Sequence, residues 1–414
     1  MATVPTQSLQ PAAQPPHPAP AKRRHHIWRW VAGVLVVLLA LFGGLAWYFS
    51  GRIESGALAS TPAAYEPVYD DVQITAVTPT TVTLAKGPDV ADNFAAPAIY
   101  GLAWAGGNGH IGLPTVNSDG TVTRPLAIES GSAPTVGAMA AVDRAYWFGI
   151  PTTWAADAAS PTVRTAYGVV IGGNPAWFFA SPTGDNSTVA IFVHGQNGTR
   201  LDGLRFVDVA RRAGVASLVI SYRNDTGSPA DPSGRLQYGQ TEWRDLDAAV
   251  TWAKDNGATR VVLAGQSMGG AIVAAFLENS SQKQDIKAVV LDAPMLSLDD
   301  VVTYGARAAL PGGLAVPAPV IKTAEQIATW RYGVDWAATD YLDDTSWVRA
   351  PTLVLQGAQD PRVPLSIATD LKSAQPDLVT LQVFPTAQHA ESWNADRETY
   401  TQVVRGFLEG VRSS

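Results

Sequence analysis

The stretch VVLAGQSMGGAIVAAF, Val261 to Phe276, decides how the chain is read. A β-branched apolar run enters a glycine cluster and leaves it as an alanine-rich apolar run, with Ser267 in the middle. Gly265 stands two residues before that serine, and Gly269 and Gly270 follow it. Glycines so placed suit a strand that turns into a helix so sharply that a β-carbon at i−2 or i+2 would strike neighbouring backbone. Such a turn lifts the serine hydroxyl clear of its surroundings, and the N-terminus of the following helix favours negative charge developing nearby. Gly265-Gln266-Ser267-Met268-Gly269 is thus a G-x-S-x-G pattern in the strand-to-helix setting that gives a common pattern its weight.

The same texture extends on both sides. From about Thr162, RTAYGVVIG and AWFFAS read as a leading hairpin. TVAIFVHG, VASLVISY, RVVLAGQS, AVVLDAP, PTLVLQG and LVTLQVF then read as strands buried on both faces of a parallel sheet. Amphipathic helical segments separate them. LDGLRFVDVARRAG offers Asp202 as an N-cap and stops at Gly214, and TEWRDLDAAVTWAKDNG puts Trp243, Leu246 and Val250 on one face and stops at Gly257. This rhythm predicts an α/β fold with a doubly wound, mostly parallel sheet over residues 162–414.

A serine nucleophile needs a base. Of the six histidines, His17, His25 and His26 fall in the N-terminal tail, leaving His110, His194 and His389. His389, in FPTAQHAESWN, follows the last predicted strand, where a loop at the sheet's C-terminal edge reaches Ser267. His194, in IFVHGQNGTR, is expected to shape a turn that presents a backbone N–H to an oxyanion. His110, beside GGNG, reads as a turn or surface residue. An acid must orient the base and stabilise the imidazolium. Asp360, in LVLQGAQDPRVP, gives the order Ser, Asp, His expected for this architecture. Asp292, in VVLDAP, ends the preceding strand and is the alternative.

HGQNGT, SYRND, EWRDL, GQSMGG, LDAPML, GAQDPRVP and QHAESWN together resemble the α/β-hydrolase superfamily, and are similar to membrane-anchored serine hydrolases of actinobacteria. The resemblance implies Ser267 as nucleophile with Asp360 and His389 as partners. It implies the backbone N–H groups of Met268 and Gln196 as the oxyanion hole, a cap over about residues 297–347, and no cofactor or metal. It is loose for substrate. The insertion carries Leu298, Val301, Val302, Leu310, Ile327, Trp330, Tyr332 and Trp336, which read either as packing onto the sheet or as lining an apolar acyl pocket. In SYRNDTGSPADPSGRLQYG, Arg223, Asn224 and Asp225 are candidates for substrate contact or for loop-stabilising bonds.

The chain has 414 residues and begins with a Pro-rich tail, residues 1–26, of a composition that cannot build a core. Residues 27–49 are apolar for about the length that spans a bilayer, with aromatics at both ends. Lys22, Arg23 and Arg24 place the tail in the cytoplasm and the catalytic part outside, as an uncleaved single-pass anchor. ALA at Ala57 to Ala59 is the competing cleavage site. Beyond Ser50 the chain holds 25 basic and 36 acidic residues, a formal charge of −11, which argues against nucleic acid or anionic lipid headgroups as the main partner. No cysteine is present, so disulfides and thiolate metal sites are excluded. Residues 50–161 read as linker and β-rich appendage, with strands at VQITAV, TVTLA, HIGLPTV and TVTRPLAI. The expected function is hydrolysis of a small-molecule carboxylic ester, with lipid-derived acyl esters suiting a membrane tether. A peptidase or amidase of the same superfamily, or an anchored binding protein with a vestigial triad, is the alternative.

Overall fold

The computed structural model describes residues 23–88, 94–151 and 166–413. Most of the tail expected to be disordered, and the 161/162 boundary, lie outside the described residues. Helix α1 (Arg23–Ile53) continues as one π-helical turn over Glu54–Leu58. It is long and apolar enough to cross a membrane. Val34 to Leu39 are each more than half exposed, whereas further along Ala46 is buried against Val316 and Val320 of the insertion.

A small barrel follows. Strands β1 (Val72–Val77), β2 (Thr81–Lys86), β3 (Tyr100–Trp104), β4 (Gly107–Ile111), β5 (Thr115–Val116), β6 (Val122–Gly131) and β7 (Met139–Asp143) form an antiparallel sheet. The order β2-β1-β7-β3-β4-β6 closes on itself because β2 also pairs with β6, while β5 only extends the β6 edge. Closure removes the free edges that would otherwise invite aggregation. Val72, Ile74, Val82 and Leu84 alternate inward with polar neighbours outward, the period-two pattern of a half-buried strand. Arg124 is fully buried and donates to the carbonyls of Ala98, Gly112, Phe94 and Ala96. It ties the 94–98 segment to the barrel wall.

The second sheet has eight strands: β8 (Ala166–Ile171), β9 (Asn174–Phe179), β10 (Thr188–Val193), β11 (Ala216–Ile220), β12 (Arg260–Gln266), β13 (Ile286–Asp292), β14 (Thr352–Gly357) and β15 (Val379–Phe384). Their order is β8-β9-β11-β10-β12-β13-β14-β15, with β9 antiparallel to both neighbours and the remaining pairs parallel. In β10, Val189, Ile191 and Val193 enter one core and Ala190 and Phe192 the other. Burial on both faces is why the inner strands β9 to β14 read as continuous apolar runs. Helices α2 (Leu204–Arg212) and α9 (Arg397–Ser413) cover one face; α3 (Trp243–Asp255), α4 (Met268–Asn279) and α7 (Leu365–Ala374) cover the other. A short helix α8 (Ser392–Ala395) precedes α9.

Between β13 and β14 the chain leaves the sheet as helices α5 (Leu298–Gly305) and α6 (Ala318–Tyr332). A Ser297–Asp340 bridge and a bond from Tyr341 N–H to the Leu296 carbonyl close the base of this cap. One local expectation is corrected. Asp202 does not cap the helix; Thr199 caps a 3-10 turn over Arg200–Gly203 that leads into α2, and Asp202 bonds back to the Thr199 N–H. The capping box thus lies one turn earlier, because the 3-10 turn gives the chain room to climb from the sheet edge.

Candidate active site

Ser267 sits between β12 and α4 at φ 52° and ψ −121°, a conformation that costs a non-glycine residue roughly 1–3 kcal/mol. Bonds on both sides hold it there. Its N–H donates to the Asp292 carbonyl, and its own carbonyl accepts from Gly270 and Met295. The flanking glycines are required by crowding: a β-carbon on Gly265 would strike the Gly269 carbonyl, and one on Gly269 would overlap the Val193 carbonyl.

The structure brings Ser267, His389 and Asp360 together. His389 Nε2 lies 2.9 Å from Ser267 Oγ, and Nδ1 lies 2.8 Å from Asp360 Oδ2. All three are at most 7% exposed. With both ring nitrogens committed, His389 has no contact to offer Asp292, whose carboxyl ends the neighbouring strand. Burial pushes Asp292 up to about 6, partly offset by Arg205. Asp360 is better supplied: Oδ1 accepts the N–H groups of Arg362 and Val363 at 2.8 and 2.9 Å, and Oδ2 also accepts Gln356 Nε2 at 3.2 Å. Three donors besides the imidazole hold the Asp360 carboxyl in one orientation.

The turn after β10 passes close to the serine, since a β-carbon on Gly195 would lie 2.9 Å from Ser267 Cβ. His194 shapes that turn. Its Nδ1 is 2.9 Å from the Gly195 carbonyl, its Nε2 is 2.8 Å from Asp225 Oδ2, and its ring stacks on Tyr222. Burial pulls the His194 imidazole down, but Asp225 and the Gly195 carbonyl outweigh it, and the net displacement is upward. Tyr222 Oη also donates to the Gly195 carbonyl at 2.9 Å. Among the described residues neither the Gln196 nor the Met268 N–H donates a hydrogen bond.

Several predicted candidates take structural roles. Arg223 is held by Asp245 and Asp231, Asn224 bonds Asp231 N–H and the Arg235 carbonyl, and Asp225 holds His194. They stabilise the loop. His110 is not a free turn residue: it lies in β4, pairs with Glu129 at 3.1 Å and stacks on Tyr146. Other contributors went unforeseen. Arg205 of α2 donates to the Ala390 carbonyl next to His389, Tyr304 of α5 donates to the Asp360 carbonyl, and Gln356 braces the Asp360 carboxyl. Arg205 within GLRFV and Gln356 within LVLQG are polar residues in apolar runs, but no local pattern announces partners so far away in sequence.

A serine, histidine and aspartate at the C-terminal edge of a doubly wound sheet, under a helical cap, define a hydrolase of the α/β type. The alpha/beta hydrolase family model matches residues 190–407, a span that includes all three side chains, and the chain belongs to that family. It is 23% identical over 256 residues to the uncharacterised protein YqkD of Bacillus subtilis, covering 61% of this chain and 79% of that one. It is 25% identical over 249 residues to the alpha/beta hydrolase domain-containing protein WAV2 of Arabidopsis thaliana, covering 56% and 74%. Among solved structures, the Pyrococcus furiosus esterase Pf2001 aligns at 20% identity with a TM-score of 0.45, covering 59% of this chain and 91% of that one.

Proposed function

We propose that this hydrolase cleaves carboxylic esters through an acyl-enzyme on Ser267. The observation that carries the reading is the series from Ser267 Oγ through the His389 ring to Asp360, at 2.9 and 2.8 Å, with its acid end held by three further donors. Ser267 Oγ attacks the ester carbonyl carbon while His389 Nε2 takes its proton. The tetrahedral oxyanion is held by the N–H groups of Gln196 and Met268, and the Asp360 carboxylate stabilises the imidazolium. Collapse breaks the bond to the alcohol oxygen, which leaves with the proton from Nε2. Water, deprotonated by the same nitrogen, then attacks the acyl carbonyl and releases the acid and free Ser267.

The apolar cap suits an acyl chain, and α1 suits an anchor that keeps the enzyme at a membrane surface with its catalytic part outside the cytoplasm. A fluorophosphonate probe tests the core of this reading. The wild type should be labelled, Ser267→Ala should not be, and His389→Ala should react far more slowly. Undiminished labelling of Ser267→Ala would put the nucleophile elsewhere.

A further inference from the structure

A cavity of about 510 Å³ lies between the end of α1 and the cap. Its walls are Phe49 and Ile53 from α1, Val302 from α5, and Ile321 and Ala324 from α6. The volume is within the range of small-molecule sites, and the wall is apolar, as such sites mostly are. One cation stands out. Arg52 lines the cavity, is exposed, and makes no side-chain hydrogen bond or ion pair among the described residues. Neighbouring arginines are engaged: Arg331 with Ser50 and the Trp47 ring, Arg235 with Glu54 and the Tyr332 ring.

Elements that line the cavity also hold residues beside the site. Gly56 and Ala57, which line it, give their carbonyls to Gln196 Nε2 at 2.9 and 3.0 Å, and Gln196 is the residue proposed to offer its N–H to the oxyanion. Tyr304 lies on the same helix as the lining residues Val301 and Val302 and donates to the Asp360 carbonyl at 3.1 Å. Tyr48 and Phe49, which also line the cavity, follow the exposed apolar length of α1 along the same helix.

From these contacts we infer that the cavity is the acyl-chain site for an amphiphile with an anionic headgroup, taken from the membrane along α1. The inference rests on Ser267 being the nucleophile. In it α1 is a wall of the binding site as well as an anchor: an acyl chain passes from the bilayer, past Phe49, to the ester-cleaving centre without crossing water. Arg52, exposed on the cavity wall, meets the headgroup charge as the amphiphile enters. The acyl chain then supplies selectivity, and kcat/KM should rise by up to about fourfold per added methylene until the cavity is full.

The experiment uses the full chain in lipid nanodiscs and a long-chain alkyl fluorophosphonate carrying a diazirine at its far end. After reaction and photolysis, peptide mapping should show phosphonate on Ser267 and crosslinks within residues 48–57 and 301–309. Phosphonylated Ser267 with crosslinks instead in residues 63–71 or 141–148, which line a separate cavity beside the barrel, would overturn the acyl-site assignment alone. No phosphonate on Ser267 would overturn the nucleophile and the inference with it. For the headgroup, the ratio of turnover on phosphatidylglycerol vesicles to that on phosphatidylcholine vesicles should fall at least tenfold in Arg52→Glu. An unchanged ratio would refute the role of Arg52.

Discussion

Two aspartates lie at the C-terminal edge of neighbouring strands, Asp292 ending β13 and Asp360 in the loop after β14, and their surroundings divide them. Asp360 has three protein donors besides His389, whereas Asp292 is wholly buried and its Oδ1 has no hydrogen-bond partner among the described residues. Asp360→Asn should therefore cut kcat by roughly 10³–10⁴-fold, by presenting His389 with a donor in place of an acceptor. Asp292→Asn should leave kcat within a few-fold; steady-state kinetics on one ester checks both. The same contrast sets a pH dependence. The Asp292 carboxyl lies near 3.8 in the unfolded chain and about 6 when folded. Below both values it is neutral in both states and contributes nothing. As pH rises between them the unfolded chain gives up this proton first, so stability falls, and above the folded value the full cost is on the order of 3 kcal/mol. Asp292→Asn should raise Tm at pH 8 and converge with the wild type below about pH 4. A gap of equal size at both pH values in thermal unfolding would contradict this.

The elements differ in how openly the sequence declares them. The six inner strands of the hydrolase sheet, β9 to β14, stand out as apolar runs because both faces are buried, and the glycines around Ser267 mark the turn because backbone crowds it. Barrel strands β3 and β7 are hidden. YGLAW and MAAVD are rich in glycine and alanine, residues with weak strand preference, and they are ordered by their mutual pairing and by the hydrolase domain beside them. The triad is legible for the same local reason as the strands, since each member lies on the turn or loop that follows one. What positions it is not. Arg205 lies on α2 yet holds the Ala390 carbonyl, 185 residues later, and Ala390 itself is strained at φ 57°. Arg205→Met should therefore lower kcat by displacing the His389 loop. It should also cost about 3–5 kcal/mol, because the buried Asp202 would lose a cationic neighbour. Thermal unfolding and kinetics, measured together, check it; full activity at reduced Tm would limit Arg205 to a structural role.

At the scale of the whole molecule, both appendages converge on the catalytic edge. The barrel grips the segment behind His389: Tyr100 Oη donates to Glu391 at 2.7 Å, Ile99 N–H donates to the Asn394 carbonyl, and Asn394 Nδ2 donates back to Ile99 and to Arg144. The apolar helix grips the cap and, through Gly56 and Ala57, the Gln196 side chain. Neither is a loosely tethered passenger. If α1 spans a membrane in the sense set by Lys22, Arg23 and Arg24, protease added outside intact cells should digest the catalytic domain and spare a tag on residue 1. A catalytic domain protected until the cells are lysed would reverse the topology.

The central claim is that an acyl group passes through Ser267. Rapid mixing with a p-nitrophenyl ester, followed by acid quench and peptide mapping, tests it most directly. A burst of p-nitrophenolate approaching one per chain is expected, with the acyl mass on the peptide containing Ser267. Turnover with no burst and no acyl adduct at any time point, or an adduct on another residue that survives in Ser267→Ala, would contradict it.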